Sequence, residues 1–326
     1  MSSQHRVALG GASIGFLGLA LLPLVLNGYA IQVLMIGYFF VLLGVSWNLL
    51  AGFTGQFSLA QHAFATIGGY VSALAVLGLK APLPVGILSG ALVAALIGFG
   101  LGWLTLGMRG VYFAIATWAF AESVRILLST NYQVTRGDAG LAVPFLFETS
   151  DPMPAYEVFL VVCGLAVLLN AWLLRTKIGY RMRAIRDDHE LAVAVGIDVV
   201  AWKRWVFVLS TALAGLAGAL YGHAVGLLTP SQAHFSQMAF VVIAVVLGGF
   251  RTLWGPVLGG LLVQGLAELL RFSAEARLIV FAVLVILIMR VYPPGLVGVI
   301  LAATSRVRHA AARRGARGRH RAAPAL

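Results

Sequence analysis

The side chains best suited to chemistry sit in one stretch, AGFTGQFSLAQHAFATIGGY over residues 51–70, where Gln56, Ser58, Gln61 and His62 fall among glycine breaks between two apolar runs. Amides and hydroxyls at this spacing offer exchangeable hydrogen bonds, and an imidazole adds a donor, an acceptor and a group that titrates near neutrality. Two readings stand for them: the lining of a polar path, or hydrogen-bonding glue between packed helices. His62 and His223 read first as hydrogen-bonded packing residues rather than proton relays. Two carboxylates, Glu122 and Glu268, each precede an arginine by three residues, Arg125 and Arg271, so that each pair shares a helical face. Such pairs either snorkel at an interface or form an outer entrance that receives a solute.

Other chemistries are missing. No Lys is followed by Ser or Thr, so there is no G-x-x-x-x-G-K-[ST] loop to hold ATP phosphates. His189 and Glu190 open HELAV rather than H-E-x-x-H, and the 7 His are scattered without zinc-site spacing. The sequence therefore predicts no catalytic residue, no metal and no cofactor held by this chain. The single Cys163 lies in an apolar run and reads as core.

The elements that position these groups follow from composition. With 60% hydrophobic and 10% charged residues and a mean hydropathy of +0.95, the chain is far more apolar than a soluble domain, which carries about 25% charged residues. It reads as an all-α polytopic membrane protein. The net charge of +12 does not mark a nucleic-acid partner, because the basic residues lie in loops and a tail rather than among exposed aromatics. The run from Val7 to Leu26 is about 20 residues, longer than the roughly 7–15 of a signal peptide, and reads as a span.

About ten transmembrane helices are expected, near 8–27, 30–51, 61–79, 83–107, 111–128, 154–174, 203–223, 235–250, 254–271 and 277–301. The eighth is short and the tenth contains Pro293 and Pro294, so both are candidates for broken helices. Arg175, Lys177, Arg181, Arg183, Arg186, Lys203 and Arg204 crowd a central loop, and seven arginines crowd a tail over 305–326. Placing both inside puts Arg109, Arg251 and both termini in the cytoplasm and the acidic 129–153 loop outside, with Lys80 and the 271–277 turn weakly against it. The transmembrane domain then covers 1–304, with the central loop at 175–204 and the tail as an unstructured basic segment near anionic lipid.

The central loop carries helix punctuation. Asp187 is the expected N-cap with Glu190 three residues on; Leu191, Ala192 and Val195 supply an apolar stripe; Gly196 ends a helix of about nine residues, and Asp198 caps the next. So short a helix needs something to pack against. A cytoplasmic protein partner and the lipid surface are the two candidates. No Asp falls inside a proposed span, which counts against an ion-coupled secondary carrier.

Four stretches resemble the permease subunits of ABC importers for branched-chain amino acids, a family that includes urea and short-amide permeases: GFTGQFSLAQHAF (52–64), GYRMRAIRDDHELAVAVGIDVVAWK (179–203), LAGLAGALYG (213–222) and LGGFRTLWGPVLGG (247–260). Together with the spans between them they cover roughly 40–300. The resemblance implies the larger, type II importer fold in a bacterial inner membrane. Its implied partners are a second homologous permease, two cytoplasmic ATPases that bind ATP and Mg, and an extracytoplasmic solute-binding protein. It implies that the central loop, through Arg183, Arg186, Asp187, Glu190, Leu191, Ala192, Val195 and Gly196, couples to an ATPase, and that Gln56, Ser58, Gln61 and His62 line the path. Three positions depart from the family pattern: Ala60 and Arg251 where glycine is frequent, and Val193 where an acidic residue is common. A urea or amide permease, a stand-alone carrier or channel, and a membrane enzyme are the alternatives.

Overall fold

The computed structural model describes residues 18–19, 22–24, 26–108, 110–149, 151–291 and 295–299. Within these the chain forms α1 (Gly28–Trp47), α2 (Gln61–Leu79), α3 (Leu83–Thr105), α4 (Val111–Thr130), α5 (Tyr132–Thr135), α6 (Met153–Arg175), α7 (Lys177–Asp187), α8 (His189–Ala194), α9 (Val199–Val225), α10 (Phe235–Gly249), α11 (Gly255–Leu269) and α12 (Ala274–Val291). Two short strands, β1 (Leu141–Ala142) and β2 (Leu227–Leu228), pair antiparallel with Leu141 opposite Leu228. Most of the expected first span, Arg109, Pro293, Pro294 and the tail over 305–326 lie outside the described residues.

Six helices among the described residues, rather than ten, are long and apolar enough to cross a membrane: α1 continued to Gly52, then α2, α3, α4, α6 and α9. They match the expected spans from 30–51 to 203–223. The next two expected spans are the 15-residue helices α10 and α11, about 22 Å each at 1.5 Å per residue against a hydrocarbon core of about 30 Å. The last begins earlier than expected, and α12 carries Arg277 and Arg290. Local chemistry sets several ends: the Asn27 side chain accepts from the Ala30 N–H at the start of α1, that of Asp198 from the Ala201 N–H at the start of α9, and Gly226 closes α9 at φ +77°.

Close backbone approach organises the long helices into two groups. In one, α2, α3 and α9 press together, and a Cβ on Gly218 would lie 1.8 Å from the Ala65 carbonyl oxygen. In the other, α1, α10 and α11 do the same, and a Cβ on Gly259 would lie 1.7 Å from that of Ala244. Small residues at such contacts are how helices pack where lipid supplies no hydrophobic drive. The seam between the groups is filled by α1 against α9, where Phe39 meets Tyr221 at 4.4 Å between ring centroids. Trp47, Phe64, Phe159 and Phe207 are fully buried in the same core.

Substituting Gly218 by Ala should cost about 3 kcal/mol or more, because two backbones would have to part. Gly78, an exposed position on α2 with nothing within 4 Å of its Cβ direction, should instead gain about 0.5–1 kcal/mol as Ala. Thermal unfolding of the two purified variants in detergent checks the contrast.

Candidate functional site

The α1 span ends in a π-helical turn, Asn48–Gly52, instead of a regular α-helical one, a feature frequent at functional sites. Asn48 holds it: Nδ2 donates to the Thr252 carbonyl at 2.8 Å, and Oδ1 accepts from the Arg251 N–H at 3.2 Å. A side chain at Gly52 would collide with Asn48 Oδ1, 2.1 Å from the Cβ position. Arg251 itself stands at φ +67°. This left-handed backbone explains why glycine suits the position, and it costs a non-glycine residue about 1–2 kcal/mol.

Residues 55–60, between this turn and α2, are non-helical; Gly55 and Phe57 are exposed, and the buried groups of this stretch and its flanks bond to protein. Trp47 Nε1 donates to the Ser58 carbonyl at 2.8 Å, Thr54 Oγ1 to that of Leu50 at 2.6 Å, and the Leu59 N–H to Thr117 Oγ1 at 3.0 Å. Ser58 Oγ donates to Gln61 Oε1 at 3.3 Å, while Gln61 Nε2 donates to Ser210 Oγ at 2.5 Å and Ser46 Oγ at 3.3 Å. Ser46 and Ser210 also exchange hydroxyl-to-carbonyl bonds at 2.7 and 2.8 Å. This network crosses the seam, from α1 to α9 through the start of α2.

All four residues expected to line a path are buried, but only Ser58 and Gln61 join the network. Gln56 is reached through Thr54 Oγ1 at 3.5 Å. The His62 ring differs: neither of its nitrogens has a partner, and it lies against Phe39 and Phe40 at 5.7 and 6.1 Å. The expectation of a hydrogen-bonded packing histidine therefore holds only for His223, whose ring bonds Ser72 Oγ at 2.9 Å and the Pro144 carbonyl at 2.8 Å. Ser46, Thr117 and Ser210 are not legible in the sequence, because a lone hydroxyl inside an apolar helix usually bonds its own backbone.

In the central loop the capping expectation moves by one residue. Asp188, not Asp187, caps α8, accepting from the N–H groups of Glu190 and Leu191 at 3.0 and 2.9 Å. Asp187 instead ends α7, a helix not expected from the sequence, and pairs with Arg186. Glu190 thus sits one position early for a capping box, and α8 has 6 residues rather than nine. Its stripe divides: Ala192 is buried with Ile185 and Val199, whereas Leu191 and Val195 are 61% and 68% exposed, and Val193 between them is 55% exposed. Gly196 follows at φ +83°. Arg183 ties α7 to the end of α6, donating from Nη2 to the Leu174 carbonyl at 3.2 Å, while its Nε bonds the Gly179 carbonyl within α7 at 3.1 Å. Arg186 reaches the π-turn, donating from Nη1 to the Gly52 carbonyl at 3.3 Å. The loop and the polar break are thereby in direct contact.

The two carboxylate pairs form as expected. Arg125 Nε donates to Glu122 Oε1 at 2.8 Å. Arg271 lies 3.4 Å from Glu268 and donates to the Tyr29 hydroxyl, which donates in turn to Glu268. No cluster of three or more His, Cys, Asp or Glu that could hold a metal exists among the described residues.

Comparison with known proteins gives one family, described as "Branched-chain amino acid transport system / permease component", matching residues 29–289. The permease protein LivM of the high-affinity branched-chain amino acid transport system of Escherichia coli K12 is 30% identical over 306 residues, covering 84% of this chain and 71% of that protein. LivH of Salmonella typhimurium is 28% identical over 288 residues, with 81% and 92% covered, and BraD of Pseudomonas aeruginosa 25% over 293 residues, with 81% and 93% covered. No solved structure matches.

Asp188→Ala should destabilise the loop by about 1 kcal/mol through loss of the cap, with faster hydrogen exchange over 189–194, while Asp187→Ala leaves those amides unchanged. Arg251→Gly should raise global stability by about 1 kcal/mol, read as a higher unfolding temperature.

Proposed function

The chain belongs to the family of branched-chain amino acid transport permeases, a family of transport subunits rather than catalytic enzymes, and on that premise we propose how it moves its solute. It is a multi-pass membrane protein and the permease component of an ABC importer. Its solute is a branched-chain or related amino acid, and its partners are a second homologous permease, a pair of cytoplasmic ATPases that bind ATP and Mg, and a solute-binding protein on the other side. The fold is that of the larger type II importers, set in a bacterial inner membrane with both termini inside.

The observation that carries this reading is the surface of α8. Leu191 and Val193 stand exposed on α8, and Val195 just after it, while Ala192 fixes the helix on Ile185 and Val199. Three apolar side chains held outward in a basic loop suit the cleft of a protein partner better than water. Val193, apolar where the resembling family often carries an acid, makes that contact a packing one rather than an ion pair. Movement of a docked ATPase reaches the path through Arg186, which bonds the carbonyl of Gly52, so that Gln56, Ser58, Gln61 and His62 rearrange with the loop. Exchangeable hydrogen bonds of this kind pass a solute on, where one tight site would trap it. Glu122 and Glu268 form the outer entrance. The absence of Asp from all six long apolar helices weighs against a stand-alone ion-coupled carrier.

With Cys163 replaced by Ala, a single Cys at Val193 should crosslink in native membranes to a nucleotide-binding subunit, with a yield that changes on adding ATP; a Cys at the buried Ala192 should not. Adducts with lipid alone from Val193, in folded protein, would reject the docked motor.

A further inference from the structure

His62 stands apart from the network beside it. It is 3% exposed, yet both ring nitrogens are without partners, whereas the buried His223 uses both of its own. Buried polar atoms in native proteins are nearly always hydrogen-bonded, and an exception calls for an explanation. A second observation lies at the same place. His62 is in the first turn of α2, a 19-residue helix whose N-cap, Ala60, supplies no side-chain hydrogen bond. Ala60, Gln61 and Ala63 are all fully buried, so the positive end of this helix is enclosed and uncapped. Side chains in a helix lean towards its N-terminus, which brings the imidazole over that end.

The surroundings are aromatic on one side and backbone on the other. Phe39 and Phe40 face the ring, and Phe40 leads to Phe240 at 6.4 Å. Opposite, the one-turn 3-10 segment Pro230–Ala233 packs against α2, so the break before α2 and the break before α10 come together. Discontinuous helices meeting at a seam are where transporters hold their solutes.

We propose that His62 and the buried N-terminus of α2 form the solute-binding subsite of the path, taking a small carboxylate whose aliphatic side chain lies against Phe39, Phe40 and Phe240. The inference rests on the permease reading above and narrows it. The carboxylate accepts hydrogen bonds from the imidazole N–H and from first-turn backbone N–H groups, aligned with the helix dipole. The second ring nitrogen is an acceptor for the ammonium of an α-amino acid. The phenyl faces reward an aliphatic side chain, which urea lacks, and they would strip urea of water without replacing its hydrogen bonds. The subsite therefore selects a branched-chain amino acid over urea.

The test is uptake of radiolabelled leucine, with radiolabelled urea as the counter-probe, by cells carrying the complete importer with wild-type, His62→Phe or His62→Gln permease. Phe keeps an aromatic ring and removes both polar nitrogens, while Gln restores a donor and an acceptor. Wild type is expected to take up leucine and not urea. His62→Phe is expected to raise the KM for leucine at least tenfold, with unchanged unfolding temperature and unchanged permease abundance, and His62→Gln to recover most of the loss. An unchanged KM in His62→Phe would overturn the subsite while leaving the permease reading intact. So would a loss confined to Vmax that tracks lowered abundance, since that marks a structural residue. Urea uptake without leucine uptake by wild type would overturn the solute class, and uptake of neither would overturn the permease reading together with the subsite.

Discussion

The constraint on which the rest depends is that a stretch of backbone, residues 55–60, leaves helical geometry amid apolar helices and must find protein partners for its peptide groups. An unsatisfied peptide group away from water costs several kcal/mol, and the chain meets this with Trp47, Thr117 and the Ser58–Gln61 pair. Each of those partners comes from a different helix, or from the turn into one. Satisfying the break therefore fixes how α1, α2 and α4 stand relative to one another, and Gln61 extends the link to Ser210 of α9. The π-turn before it serves the same end, since Asn48 locks α1 to the connection between α10 and α11.

The glycine contacts give this arrangement its mechanical character. Backbone pressed on backbone, as at Gly218 and Gly259, leaves no side chains that could repack, so each helix group resists internal deformation. The seam between the groups is different. Its contacts are hydroxyl and amide hydrogen bonds, which can be exchanged one at a time, together with aromatic rings that can slide. Ser46, Gln61 and Ser210 lie at this seam, which suits it to relative motion of the two groups.

Much of this is legible in the sequence, for identifiable reasons. Long apolar runs announce helices because about 20 consecutive apolar residues match the thickness of a bilayer core, and Asp198 sits where cap chemistry demands it. The departures are equally physical. Two consecutive acids, Asp187 and Asp188, offer two caps of equal quality, and the choice falls to the second because Arg186 and the α7 backbone claim the first. Helices α10 and α11 are apolar enough to look like spans, but a 15-residue helix reaches only part of a bilayer. Ser46 and Ser210 are silent in sequence since their meaning is a cross-helix pairing 164 residues apart. His62 is visible as one of a polar group, but its lack of partners is a property of packing that no local pattern encodes.

Arg186 lies near the end of α7, which is rooted on α6 through the Arg183 bond to the Leu174 carbonyl. This makes α7 a lever with its fulcrum at Thr176. Over 11 residues the arm is about 16 Å, so that a tilt of about 10° sweeps Arg186 through about 3 Å. That travel is comparable to the hydrogen bond it makes with Gly52. A small rotation imposed on the exposed helix α8 is thus enough to make or break the link to the polar break, giving the protein a short-stroke clutch instead of a continuous drive.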